Sequence, residues 1–224
     1  MTVSPDVDRL IRETRRYEFA DGLRDLQLAM LLGLGGLTAW LVFEPFWMTF
    51  VVRMAATYGR WAAWVGILPA LVPPLVVLGM LGVMRVLRRR WLWRESGMVS
   101  PSRWAVPRRV NVLSAVILLG GLAVGLGLLK LGLVDASFLL RMLWTATGWS
   151  FGYTLFAMGR HLDLPRYRWL GLTGGILSTA LLFLPLPFAQ SSLVFGLLWC
   201  AMLAGSGLIT LRRATLSRGA AGGG

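Results

Sequence analysis

The sequence predicts an all-α polytopic membrane protein, a helical bundle with six transmembrane helices and N- and C-termini in the cytoplasm. Three observations carry that expectation. The chain of 224 residues is 56% hydrophobic and only 15% charged, against about a quarter charged in soluble domains. Six apolar runs are each long enough, or nearly so, for a hydrocarbon core that needs about 20 helical residues. Finally, 19 of the 23 Lys and Arg residues fall on one side of those runs, the side that the positive-inside rule makes cytoplasmic. The runs are continuous rather than alternating, which argues for helices over a barrel, and helices satisfy their own backbone in lipid.

The elements follow in order. Residues 1–25 form a cytoplasmic amphipathic segment. Ser4-Pro5 suits a helix start, and Val7, Leu10, Ile11 and Thr14 follow at helical spacing. The segment contains acids as well as Arg, unlike a cleaved signal peptide. The transmembrane domain is expected over 26–211, with spans at 26–43, 61–84, 110–133, 138–158, 169–186 and 193–211. Between the first two spans, Glu44-Pro45 breaks the apolar run. Residues 44–60 then read as an outer segment, interfacial or embedded, marked by Trp47. Pro69, Pro73 and Pro74 predict a kinked or partly unwound second span. A basic, Gly-rich cytoplasmic tail occupies 212–224.

The net charge of +13 would suit nucleic acid, but its distribution matches membrane orientation instead. No nucleic-acid partner is expected. Eight Arg lie between 85 and 109, interleaved with Trp. In that loop Arg88, Arg89, Arg90, Trp91 and Trp93 are the candidate contact for anionic lipid headgroups or for a cytoplasmic protein partner such as a separate ATPase. The sequence does not determine the oligomeric state.

Small residues at four-residue spacing are candidate packing positions, because close approach supplies much of helix association in lipid. They include Gly121 and Gly125, Gly148 and Gly152, Gly171 and Gly175, with Ala29/Gly33 and Ala201/Gly205 as further pairs. Arg141 and Thr145 share a stripe of the fourth span. With Glu44 at the same outer level they are candidate ligand or gate residues. The competing readings leave Arg141 at the interface or paired with Asp135.

Several chemistries are disfavoured. One His and one Cys do not build an ordinary metal or haem site, and no cofactor is expected. The single lysine, Lys130, lies in no phosphate-binding loop. No acid lies within the six spans as bounded, which argues against classical proton coupling. Gly148-Trp149-Ser150-Phe151-Gly152 matches G-x-S-x-G but sits in an apolar span.

That serine and the helix count resemble the rhomboid intramembrane proteases. The residue after Ser150 is Phe151 where that family has Gly, and the sixth span has no histidine. His161, 11 residues on, is about 16 Å away along a helix. An enzyme is therefore not expected. The stretch Tyr17-Glu18-Phe19-Ala20-Asp21-Gly22-Leu23-Arg24-Asp25 resembles a feature of uncharacterised bacterial polytopic inner-membrane proteins, and Pro107-Arg108 is similar to the same group. This implies a bacterial cytoplasmic (inner) membrane and brings no activity. In size, span number and Ala29-xxx-Gly33, the chain is also similar in architecture to the substrate-binding membrane components of energy-coupling-factor vitamin transporters.

Together these features predict a non-enzymatic integral membrane subunit or scaffold, with the membrane component of a transport complex as its specific form. It would dock partners on its basic cytoplasmic face. The alternative is a substrate-binding permease with a cavity near the outer ends of the first and fourth spans.

Overall fold

A computed structural model describes residue 19 and residues 22–87 and 107–221. The proposed contact residues Arg88, Arg89, Arg90, Trp91 and Trp93 lie outside the described residues, as does the amphipathic segment up to residue 18. Among the described residues all regular structure is helical. The helices are α1 (Leu23–Phe43), α2 (Pro45–Tyr58), α3 (Leu68–Leu87), α4 (Arg108–Lys130), α5 (Ala136–His161), α6 (Pro165–Phe183) and α7 (Phe188–Ala221), with a 3-10 segment at Arg60–Ile67 before α3.

Among the described residues, four stretches are long and apolar enough to span a membrane: Leu23–Phe43, Trp64–Val83, Arg108–Lys130 and Phe188–Arg213. Helices α5 and α6 have 26 and 19 residues, roughly 39 and 29 Å at 1.5 Å per residue. They fall short in apolarity rather than length, because they carry Arg141, Thr145, Thr147, Ser150, Thr154 and several glycines. Their polar groups are accommodated because they pack together at the centre.

Local chemistry sets the boundaries. Helix α1 starts earlier than expected. Gly22, its N-cap, holds φ +74°, a left-handed conformation that glycine adopts at little cost. Asp25 consequently lies inside the helix, and the expectation of acid-free spans fails. Pro45 sits at the first position of α2, where its missing N–H costs no helix bond. The 14 residues of α2 extend about 21 Å, too short to cross. Helix α2 buries none of its residues. Unwinding before α3 is confined to the 3-10 turn at Arg60–Ile67, while Pro73 and Pro74 stay inside the helix. Helix α7 runs on to Ala221, so most of the expected Gly-rich tail is helical.

Across the bundle, α3 packs on α1, α1 on α7, and α7 meets the α5–α6 pair, with α4 against the outer side of α5. The α1–α7 seam closes at glycines. A Cβ on Gly36 would lie 2.6 Å from the Gly196 Cα, and one on Gly207 would lie 2.8 Å from the Gly22 carbonyl oxygen. The backbones therefore touch, which maximises dispersion contact where lipid supplies no hydrophobic drive. In the α5–α6 seam, a Cβ on Gly152 would meet the Gly171 oxygen at 2.5 Å, and one on Gly175 the Trp149 ring at 2.9 Å. Gly148 faces the Ser178 side chain. Gly121 and Gly125 face Ala146 and Leu139 of α5. Gly205, by contrast, has open space around it and Ala201 is exposed, so that pair makes no seam.

These contacts make α1 antiparallel to α7, α4 to α5 and α5 to α6. The starts of α1, α4 and α6 and the ends of α3, α5 and α7 share one end of the bundle. That end gathers Arg24, Arg85, Arg108, Arg109, Arg160, Arg166, Arg168, Arg212 and Arg213, whereas Arg53, Arg60, Lys130 and Arg141 lie toward the other.

The Gly36→Leu substitution should push α1 from α7 and destabilise the protein by about 1–3 kcal/mol, the usual cost of overpacking. Gly120→Ala, at a position with nothing within 4 Å, should leave stability unchanged or slightly raised. Thermal melts in detergent separate the two. At the start of α5, Asp135 caps the Phe138 amide at 2.8 Å. Hydrogen bonds from Ser137 and from that amide hold its carboxyl below the usual range. A lowered folded value means the cap acts above the ordinary carboxylate range and is lost as pH falls through the folded value. Hydrogen exchange at Phe138, corrected for intrinsic rate, should accelerate over that acidic window and already at neutral pH in Asp135→Ala.

Candidate functional site: a buried ionic cluster at the basic end

The site is built around Asp25, whose side chain has no exposed surface. An ionised carboxylate buried in this way needs neutralising partners. Partners reach it from α6 and α7. The Tyr167 hydroxyl donates to Oδ1, the Ser206 hydroxyl donates to Oδ2 at 3.1 Å, and Arg166 Nη2 lies 3.6 Å from Oδ2. Arg166 also donates to the Phe19 carbonyl and to Thr210 Oγ1, and its guanidinium sits 4.9 Å over the Tyr167 ring. Phe19 closes the cluster edge-on to Tyr167, at 5.9 Å and 87°. One ionic group thus ties the approach to α1, the first turn of α6 and the last membrane turns of α7.

Local sequence explains the placement. Gly22 and Gly207 let α1 and α7 touch just where Asp25 must reach Ser206. A Cβ on Gly207 would stand 3.1 Å from that of Asp25. The α5–α6 turn is tight: Asp163 has φ 52°, and the Leu164 amide returns to the Gly159 carbonyl at 2.9 Å. Arg168 staples the turn by pairing with Asp163 at 2.9 Å and donating to the Gly159 carbonyl at 3.3 Å. Pro165 then opens α6, leaving Arg166 and Tyr167 in its first turn, facing α1 and α7.

Above the cluster an aromatic column fills the centre. Phe43, Phe188, Trp144, Phe195, Trp199 and Phe151 follow one another at centroid distances of 4.7 to 6.5 Å. Trp199 has no exposed surface and lies against Gly174, where any side chain would collide with it. Its Nε1 donates to Ser178 Oγ at 3.1 Å, and that hydroxyl donates to the Gly174 carbonyl at 2.7 Å. A buried indole N–H is satisfied in this way.

The sequence-derived candidates sit elsewhere. Arg141 does not pair with Glu44. Its Nη1 donates to the Leu182 and Leu184 carbonyls at 3.1 and 2.9 Å, and Nε and Nη2 donate to the Ser137 carbonyl and hydroxyl at 3.3 Å. It caps the end of α6, where carbonyls lack helical partners and the helix dipole favours a cation. Thr145 is buried and donates to the Ser178 carbonyl at 3.0 Å, which binds α5 to α6. Ser150 faces α4. Its hydroxyl stands 2.7 Å from that of Ser114 and donates to the Ser114 carbonyl at 2.9 Å. Thr154 adds a bond to Ser114 at 3.0 Å. The G-x-S-x-G serine is thus part of a hydroxyl zipper between helices.

Sequence reasoning missed Asp25 by starting the first span at residue 26. The available signal was an acid directly against an apolar run, in a chain with only 10 acids. Its partners were already conspicuous in Pro165-Arg166-Tyr167-Arg168.

Removing Arg166 should take a cation away from the buried Asp25 carboxylate. Arg166→Gln is expected to cost near the lower end of about 3–5 kcal/mol, because the Arg166 side chain is 22% exposed. Tyr167→Phe removes one hydroxyl and should cost about 1–3 kcal/mol. In a double-mutant cycle on denaturant unfolding in micelles, Asp25→Asn with Arg166→Gln should lose less than the sum of the singles. Additive losses would mean that the two residues are not coupled.

No family model, curated protein or solved structure matches this chain, so the reading of the site rests on its own geometry.

Proposed function

We propose that this protein is a non-enzymatic integral membrane subunit or scaffold of a bacterial cytoplasmic membrane. It crosses six times with both termini in the cytoplasm, α2 lies at the outer interface, and cytoplasmic protein partners dock on its basic end. A transport complex with a separate ATPase is the specific assembly proposed.

The observation that carries this reading is the gathering of six basic helix ends at one end of the bundle, braced there by the Asp25–Arg166–Tyr167 cluster. Positive charge on one side is the signature of cytoplasmic loops, and a braced end gives a partner a fixed surface. The polar groups inside the bundle support the same view. Thr145, Ser150 and Arg141 each hold one helix to another. The alternative permease reading placed a cavity near Glu44 and Arg141, and Arg141 is engaged by the end of α6.

Topology is tested by cysteine labelling in a Cys200→Ala background. Ser217→Cys should resist a membrane-impermeant maleimide in intact cells, whereas Leu133→Cys should react; the reverse pattern would invert the orientation. For the partner, the full chain purified in mild detergent should carry a cytoplasmic protein in fixed stoichiometry. Replacing Arg88, Arg89 and Arg90 by Gln should release it. A bare chain that instead retains a small molecule would favour the permease.

A further inference from the structure

Helix α4 stands at the edge of the bundle and Gly125 is its buried residue. On its flank lies an open, shallow groove of about 560 Å³ along one helix, lined by Arg108, Arg109, Val112, Leu113 and Val116. Its chemistry is divided along its length. At the mouth, Arg108 and Arg109 are exposed, and neither guanidinium has a hydrogen bond or ion pair with another described residue. Arg166 and Arg168 at the same end are both paired. Below the mouth the wall is Val and Leu only. From Arg108 to Val116 is about 12 Å along the helix, a depth that runs from the headgroup level into hydrocarbon.

We propose that this groove is a binding site for one anionic phospholipid. Its phosphate sits between the Arg108 and Arg109 guanidiniums, and one acyl chain lies along Val112, Leu113 and Val116. Two adjacent cations without counter-charge among the described residues match a phosphate, which guanidinium binds by charge-assisted hydrogen bonds. A wall of Val and Leu matches an acyl chain and offers nothing to the backbone of an acidic peptide, whose polar groups would go unpaired. The site rests on the proposed membrane crossing of α4 but not on the scaffold reading, because it is read on the isolated chain.

The experiment is native mass spectrometry of the full chain, released from mild detergent after incubation with phosphatidylglycerol or phosphatidylcholine of identical acyl chains. A one-to-one adduct should form preferentially with phosphatidylglycerol. The double variant R108Q/R109Q should weaken it roughly 30-fold, the scale set by two basic residues at an anionic surface. R212Q/R213Q, at the same end but away from the groove, should keep it. Val116→Trp fills the groove on a lipid-facing flank and should also reduce the adduct, which headgroup attraction alone would not predict. Equal retention of the two lipids, an adduct unaffected by R108Q/R109Q or by Val116→Trp, or displacement of the lipid by a polyglutamate peptide would each overturn the proposal.

Discussion

A carboxylate with no exposed surface can persist only where counter-charge and donors meet it, and that requirement organises the basic end of this bundle. Asp25 lies in α1, but its partners Arg166, Tyr167 and Ser206 lie in α6 and α7. Meeting them fixes the azimuth of α1 and its depth against α7. It also fixes the direction in which the first turn of α6 points. Through Arg166 the same cluster takes up the carbonyl of Phe19, so the chain leading into α1 is held at the base of α6. Association in lipid lacks the hydrophobic drive that aligns soluble helices, and directional polar contacts of this kind can set register.

The rest of the bundle follows from close backbone approach. Once α1 and α7 are aligned at Gly22 and Gly207, they meet again at Gly36 and Gly196. On the other side of α7, Trp199 needs the space left by Gly174, and it shares Ser178 with the α5–α6 seam. A large ring opposite a missing side chain is a packing solution that few alternative registers allow. Ser114, Ser150 and Thr154 fasten α4 to α5. The first two of these hydroxyls reach backbone carbonyls across the seam, contacts possible only when the two helices lie close.

Much of the architecture was legible in the sequence because apolar length and charge asymmetry are properties of single segments. The helix-bounding signals were equally local: Pro45, Pro165, and the Pro185 and Pro187 pair after α6. The candidate site was less legible. Arg141 was noticed as a cation near the outer end of a span and read as a ligand or gate candidate, with the interface or a carboxylate as its competing settings. Its actual partners are backbone carbonyls at the end of α6, which any sequence can supply. Thr145 was noticed as polar, but its acceptor is likewise a carbonyl. Asp25 escaped because hydropathy begins the span one residue later, whereas the helix begins at Leu23, behind the left-handed N-cap Gly22. Two basic helix openings, Pro107-Arg108-Arg109 and Pro165-Arg166-Tyr167-Arg168, differ in use. The first leaves its guanidiniums facing outward at a groove, and the second folds one inward to a buried acid.

The sequence by itself determined that this chain is helical, that several of its helices suit a membrane, and that its basic residues segregate along the chain. Those facts follow from the cost of exposing backbone or charge to hydrocarbon, which each segment meets alone. Only the tertiary structure decided which polar residues are internal ties and which stand free. That distinction depends on distances between segments more than 140 residues apart, as between Asp25 and Tyr167, and no local pattern encodes such a distance.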